Sequence, residues 1–159
     1  MMVAADAWQR GAGVRGDLLE VGAYLGRSSV LLGLLRREGE SLHVCDVFDA
    51  PAPEAFEDER ETWYPEVALD RFLQGYRRFV DADPTVHVGP SEERLPGLPD
   101  QSFRIVHIDG SHTFEAVRSD IAQAARLVTR RGIVVFDDIA SPHTPGVPAA
   151  VQHLSLIHI

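Results

Sequence analysis

The strongest constraint on this chain is the alternation of short, continuously apolar runs with stretches of helical period. Five runs read as strands: DLLEVG (17–22), SLHVCDVF (41–48), TVHVG (85–89), SFRIVHID (102–109) and GIVVFDDI (132–139). Between them, residues 28–37, 66–80 and 114–128 read as helices. In the second helix Val67, Phe72, Tyr76 and Phe79 form an approximate apolar stripe. In the third, Phe114, Val117, Ile121, Ala124 or Ala125, and Val128 recur at spacings of three to four. Ser28 or Ser29 suits the start of the first helix, and Arg36-Arg37 its negative end. Arg130-Arg131-Gly132 reads as a helix stop, because glycine suits a left-handed cap and cations favour a helix C-terminus. Strands that are apolar throughout need cover on both faces, as in a parallel sheet. Right-handed crossovers then give a doubly wound, mostly parallel α/β sheet of Rossmann-like form.

Ligands of such sheets bind beyond the carboxyl ends of the strands. Here those ends carry Glu20 and Gly22, Asp46, Gly89 and Ser91, Asp109, and Asp137 with Asp138. Strand ends are often polar simply because loops begin there, but five ends with acids or glycines form a pattern. Glu20-Val-Gly-Ala-Tyr-Leu-Gly26 follows one strand and opens a helix. Glycine allows a tight turn and a close ligand approach, or merely a strand–helix turn. Asp46 ends the next strand, 24 residues after Gly22, where a carboxylate can accept ribose hydroxyls. A dinucleotide loop needs G-x-G-x-x-G, and here Tyr24 occupies the middle glycine position. The acidic Glu20 also sits badly beside a diphosphate. A cationic nucleoside, S-adenosylmethionine, suits the loop better.

Composition narrows the classes further. The chain has 159 residues, 45% hydrophobic and 25% charged, enough for one domain with a sizeable core. Its formal net charge of −9 argues against a nucleic-acid or anionic-membrane partner held by a basic patch. No apolar run nears the roughly 20 residues that span a bilayer. The N-terminal segment lacks the apolar core of a secretory signal, so a cytoplasmic location is expected. That segment is also short for helices that would cover a cofactor. The single cysteine, Cys45, excludes an internal disulfide framework. Its apolar strand neighbours should bury it and raise its pKa. The acidic stretch 50–63 reads as a lid or a solvated charge run, with Trp63 and Tyr64 as acceptor contacts or loop anchors.

The segments LEVGAYLGRSSVLL (19–32), LHVCDVFD (42–49), VHVGPSEERLPGL (86–98), IVHIDGSHTFEAVRSDI (105–121) and RGIVVFDDIASPHTPGV (131–147) resemble class I S-adenosylmethionine-dependent methyltransferases of the family-24 type. That type is related to macrocin-type sugar O-methyltransferases. The resemblance implies that Glu20, Gly22, Tyr24 and Gly26 shape or line the methionine-side loop, that Asp46 binds the ribose, and that Ser91 lies near the adenine. It also implies that Asp109 adjoins the cofactor, that Asp109, Asp137 and Asp138 are acidic metal ligands, and that His112 faces the acceptor. The implied partner is a small-molecule or sugar hydroxyl; homo-oligomerisation of a longer parent is left open.

The residues make their own case for a metal. Asp109 ends one strand and Asp137-Asp138 the neighbouring one, so three carboxylates converge and repel unless one protonates. A hard cation such as Mg²⁺ would relieve that repulsion. Adjacent aspartates on a strand point to opposite faces, so both can bind only if the strand has turned by Asp138. Equally, one could cap the turn and the other accept backbone N–H groups. His112 or Asp109 is the candidate base; His107, on the same strand face as Asp109, could simply pack. An NAD-dependent oxidoreductase and a non-catalytic nucleoside-binding paralogue are the competing readings.

The resemblance also implies further strands beyond residue 147, completing a seven-stranded sheet. The chain instead ends LSLIHI, a hexapeptide that a common sequencing-adapter end encodes. The expectation is one partial domain over 1–153 and a non-native tail over 154–159.

Overall fold

The computed structural model describes residues 1–50 and 68–157. Five parallel strands form the sheet: β1 (Asp17–Val21), β2 (Leu42–Asp46), β3 (Thr85–Val88), β4 (Phe103–Ile108) and β5 (Val128–Phe136), in the order β3-β2-β1-β4-β5. The helices are α1 (Met2–Gly11), α2 (Arg27–Leu35), α3 (Leu69–Tyr76), the single turn α4 (Ser91–Arg94), α5 (Phe114–Leu127) and α6 (Gly146–Ile157). The order reverses at β1, so the crevice above β1, β2 and β4 is the switch point where ligands of open sheets bind.

Both faces are covered, as the apolar strands require. On one, Leu18, Leu42, Val44 and Ile105 pack with Leu32 of α2 and with Phe72 and Tyr76 of α3. On the other, Leu19, Val21, Cys45, Val106 and Ile108 pack with Leu95, Leu98, Ala124 and Leu127. A smaller cluster of Val117, Ile121, Val147 and Ala150 joins α5 to α6. Among the described residues no helix is long and apolar enough to cross a membrane.

Several boundaries differ from the sequence expectation. Residues 2–11 form a helix, but it docks at the far end of the sheet from the switch point. There Gln9 donates to the Arg104 carbonyl (2.6 Å), and Asp6 pairs with Arg37 (2.8 Å) and Arg104 (3.0 Å). The α2 helix is capped by Gly26 (φ 80°), not by a serine hydroxyl, because Ser29 is drawn down to Glu20. The α5 helix ends at Leu127 and not at Gly132. Its last carbonyls are taken by the turn before β4, with Gln101 N–H donating to Arg126 O (3.0 Å) and Ser102 N–H to Leu127 O (2.9 Å). Residues 128–132 therefore belong to β5, whose register with β4 shifts between Phe103 and Ile105, with Arg131 at φ 66°. All but Ala50 of the acidic stretch 50–63, together with Trp63 and Tyr64, lies outside the described residues.

Candidate active site

The loop after β1 is held by its neighbours on both sides. Gly22 has φ 81°, and a Cβ there would lie 2.0 Å from the Asp109 carbonyl oxygen. Glycine is thus required because the β1 and β4 loops pack backbone to backbone, an origin the sequence alone did not separate from ligand approach. From the other side, Asp46 Oδ2 accepts the N–H groups of Ala23 (2.6 Å) and Tyr24 (2.9 Å), and its Oδ1 accepts that of Phe48 (3.1 Å). The acid at the end of β2 therefore clamps the glycine loop. A carboxylate offers about four lone-pair positions, so room remains for a sugar hydroxyl. Tyr24 stands at φ 48° and is 36% exposed at the rim. Gly26 starts α2 where a Cβ would strike the Phe72 ring at 2.8 Å.

Glu20 does not face the crevice. It is wholly buried, accepts the Ser29 hydroxyl, and meets His107 Nδ1 at 3.0 Å. It shapes the loop from beneath. Ser91 opens α4, two residues after Gly89, whose N–H donates to the Asp46 carbonyl (2.9 Å). The Ser91 hydroxyl donates to Asp120 Oδ1 at 2.6 Å. Burial pushes the Asp120 carboxyl up to about 6; the Ser91 hydrogen bond opposes that rise and the Glu92 charge adds to it. Cys45 is buried as expected, and burial pushes its thiol up to about 12.

The acids at the ends of β4 and β5 meet, although not as one trio. A ligand atom from each of His107, Asp109 and Asp137 lies within 4.8 Å of the others, and the same holds for Asp109, His112 and Asp138. Asp109 belongs to both groups. The division arises because β5 ends at Phe136 and the chain turns at Asp138 (φ 54°). That turn also gives Asp137 a capping role, its Oδ1 accepting the Asp138 N–H at 2.9 Å. Asp138 reaches His112 Nε2 at 2.9 Å. Burial first, and then the Asp137 charge, pushes Asp109 up to about 7; His107 opposes this, and Glu20 and Asp138 reinforce it. Burial disfavours the charged form of His107, but the Glu20 hydrogen bond and the surrounding carboxylates outweigh it and hold the ring above the ordinary histidine value. A small open cleft, about 10 Å³ in volume, lies against Asp109, Ser111, His112, Phe136, Asp137 and Val147. The donors fit a divalent cation: carboxylate oxygens suit Mg²⁺, and the crowded charge on Asp109 favours a nearby cation. The two imidazoles widen the choice toward transition metals.

The structure thus gathers Gly22, Tyr24, Gly26 and Asp46 at one loop, and Asp109, His112, Asp137 and Asp138 at the neighbouring strand ends. Glu20 lies below them, and Ser91 stands on the β3 side. Sequence reasoning missed the ligand-like setting of His107, the Ser29–Glu20 bond and Asp120. Only the even spacing of His107 and Asp109 along β4 hinted at the first.

A parallel sheet in this order, covered by helices and with an acid-clamped glycine loop at the switch point, matches the Rossmann-like fold of the class I methyltransferases. The model of a methyltransferase-domain family matches residues 19–139, and the chain belongs to that family. It is 28% identical over 144 residues to the 8-demethyl-8-(2,3-dimethoxy-alpha-L-rhamnosyl)-tetracenomycin-C 4'-O-methyltransferase of Streptomyces olivaceus. That match covers 80% of this chain and 54% of the relative, so the chain spans about half the length of that curated protein. Among solved structures, the O-methyltransferase NovP superposes with a TM-score of 0.81 at 20% identity, over 97% of this chain and 69% of that one. TomG from Streptomyces achromogenes, an O-methyltransferase solved in complex with SAM, gives a TM-score of 0.58 at 20% identity, over 96% and 66%. At these identities the two structures speak for the fold.

Proposed function

We propose that the protein is an S-adenosylmethionine-dependent O-methyltransferase acting on a hydroxyl of a small molecule or sugar, with a divalent cation at its acid cluster. The observation that carries this reading is the adjacency of the Asp46-clamped Gly22 loop to Asp109, since Gly22 packs directly on the Asp109 backbone. A nucleoside held at the first and an acceptor held at the second would be neighbours. The curated relative's name, which specifies a rhamnosyl 4'-hydroxyl, favours a sugar acceptor. Family membership speaks against the NAD-dependent reading.

In this reading Asp46 receives the ribose, the 22–26 loop the methionine part, and Ser91 the adenine. The reaction forms a bond from the acceptor oxygen to the methyl carbon and breaks the carbon–sulfur bond. The sulfonium leaves as a neutral thioether and the hydroxyl proton passes to a base. Alignment of oxygen, carbon and sulfur supplies much of the rate. His112, oriented by Asp138, or Asp109 takes the proton. Asp109 would hold the cation, either with Asp137 and His107 or with Asp138 and His112, and the cation's Lewis acidity would acidify a neighbouring hydroxyl.

Calorimetry against S-adenosylmethionine and NAD, and product detection with a panel of sugar and phenol acceptors, test the reading. Binding of the sulfonium nucleoside, with methylation that a chelator abolishes, is expected. Preferential NAD binding would overturn the reading as a whole. Chelator-insensitive turnover would remove the cation from it.

A further inference from the structure

We propose that Asp120 sets the polarity of the purine subsite: by holding the Ser91 hydroxyl proton it leaves Ser91 as an acceptor, which admits a 6-amino purine and disfavours a 6-oxo purine. The inference rests on the reading of the crevice as a nucleoside site with the purine beside Ser91.

Asp120 is 2% exposed, and its Oδ1 lies 2.6 Å from the Ser91 oxygen. An ionised carboxylate only accepts, so the single hydroxyl proton points at Asp120 and the serine lone pairs are left for other partners. At pH 8 the Asp120 carboxyl, even pushed up to about 6, is ionised. Adenine presents an N–H donor at its 6-position. Hypoxanthine presents a carbonyl oxygen there, which would face those lone pairs without a proton between them.

A purely structural role explains this buried acid poorly. Burying a carboxylate is costly, and while its Oδ2 lies toward the Gly110 turn, the Ser91 segment met by its Oδ1 is already fastened. The Arg126 guanidinium donates to the carbonyls of Leu95 (2.8 Å) and Leu98 (2.9 Å), and Arg94 donates to the Val88 carbonyl (2.8 Å). What Asp120 adds at that segment is direction to the Ser91 proton. Asp120 is therefore a positioning residue, and discrimination between purines is the property that a merely structural role would leave unchanged.

The test is calorimetry of the full chain at pH 8 with S-adenosylhomocysteine and with its 6-oxo counterpart, S-inosylhomocysteine. The unmodified chain should bind the amino compound at least about tenfold more tightly, the scale of an unmade hydrogen bond in a closed site. In Asp120→Asn the amide can donate to Ser91 and release its proton toward the ligand, so the ratio should fall to within about threefold. Ser91→Ala should lose the ratio as well, and Ser91→Thr, which keeps the hydroxyl, should retain it. The Ser91 pair decides the matter if Asp120→Asn does not fold. An unmodified ratio near one, or an Asp120→Asn or Ser91→Ala protein that keeps the original ratio, overturns this inference alone. Failure of the unmodified chain to bind either nucleoside overturns the cofactor reading and this inference with it.

Discussion

Replacing Asp109 by Asn should make the metal-free protein more stable at pH 8 while removing a group that the proposed chemistry needs. In the fold Asp109 is half-buried beside Asp137, and its pKa rises from 3.8 to about 7. A carboxyl whose folded pKa exceeds its unfolded value holds its proton more tightly when folded. Unfolding releases that proton between pH 3.8 and about 7, so stability falls as pH climbs through this window. At about 1.4 kcal/mol per unit the full rise corresponds to roughly 4 kcal/mol. Partial exposure reduces this to about 1–2 kcal/mol by solvent screening. For a domain of this size that is a melting shift of about 2–8 °C. Thermal unfolding followed by circular dichroism, with chelator present, should therefore show Asp109→Asn melting higher than the unmodified chain at pH 8. The gap should narrow as the pH falls from 7 toward 4. Added Mg²⁺ should raise the melting point of the unmodified chain at pH 8 and leave that of the Asn variant nearly unmoved. An Asn variant that melts lower at pH 8, or an offset that does not change with pH, would refute the electrostatic account of this site.

Gly22→Ala combines a left-handed backbone with a clash against the Asp109 carbonyl, neither of which a flexible side chain can relieve. A loss above about 3 kcal/mol is expected by differential scanning calorimetry, and a melting point within 2 °C of the original, about the smallest shift a single kcal/mol produces, would contradict it. Arg104→Ala leaves Asp6 and Glu40 buried without their shared partner. It should cost about 3–5 kcal/mol in urea unfolding, yet leave nucleoside affinity intact in the folded fraction. Asp46→Ala frees the N–H groups of Ala23 and Tyr24 and should weaken S-adenosylmethionine binding more than about tenfold by calorimetry. Cys45, 1% exposed with its thiol pushed up to about 12, should react with a disulfide reagent at pH 8 only after denaturant is added.

What was legible in the sequence followed from burial on two faces. Strands such as FRIVHI and LHVCD declare themselves because a central parallel strand tolerates polar side chains only where a partner waits, as Glu20 meets His107. The acids at the strand ends were legible for the same reason, since they stand where the apolar run stops. The end of α5 was not. Arg130-Arg131-Gly132 has the chemistry of a helix stop, but the carbonyls of Arg126 and Leu127 had already found donors in Gln101 and Ser102, about 25 residues earlier in the chain. The α1 helix was hidden likewise: its buried Asp6 and Gln9 answer Arg37 and Arg104, one of them 95 residues away. A histidine inside an apolar strand carries no mark of its partner, so only the fold assigns His107 to Glu20 and Asp109.

The two ends of the sheet handle negative charge in opposite ways. At the amino ends of the strands, Asp6 and Glu40 are met by the guanidinium groups of Arg37 and Arg104, which hold their charge at any physiological pH. At the carboxyl ends, Glu20, Asp109 and Asp138 are met by His107 and His112, whose charge depends on pH and on their neighbours. The first arrangement fixes a helix in place and needs nothing more. The second leaves carboxylates whose repulsion a cationic ligand would relieve. A sulfonium nucleoside and a divalent ion are both cations, so on the proposed function a crevice left short of fixed positive charge would gain stability from each on binding. The clamped Gly22 loop would bring the two together, because the residue that turns the first strand is packed on the backbone of the aspartate at the end of its neighbour in the sheet.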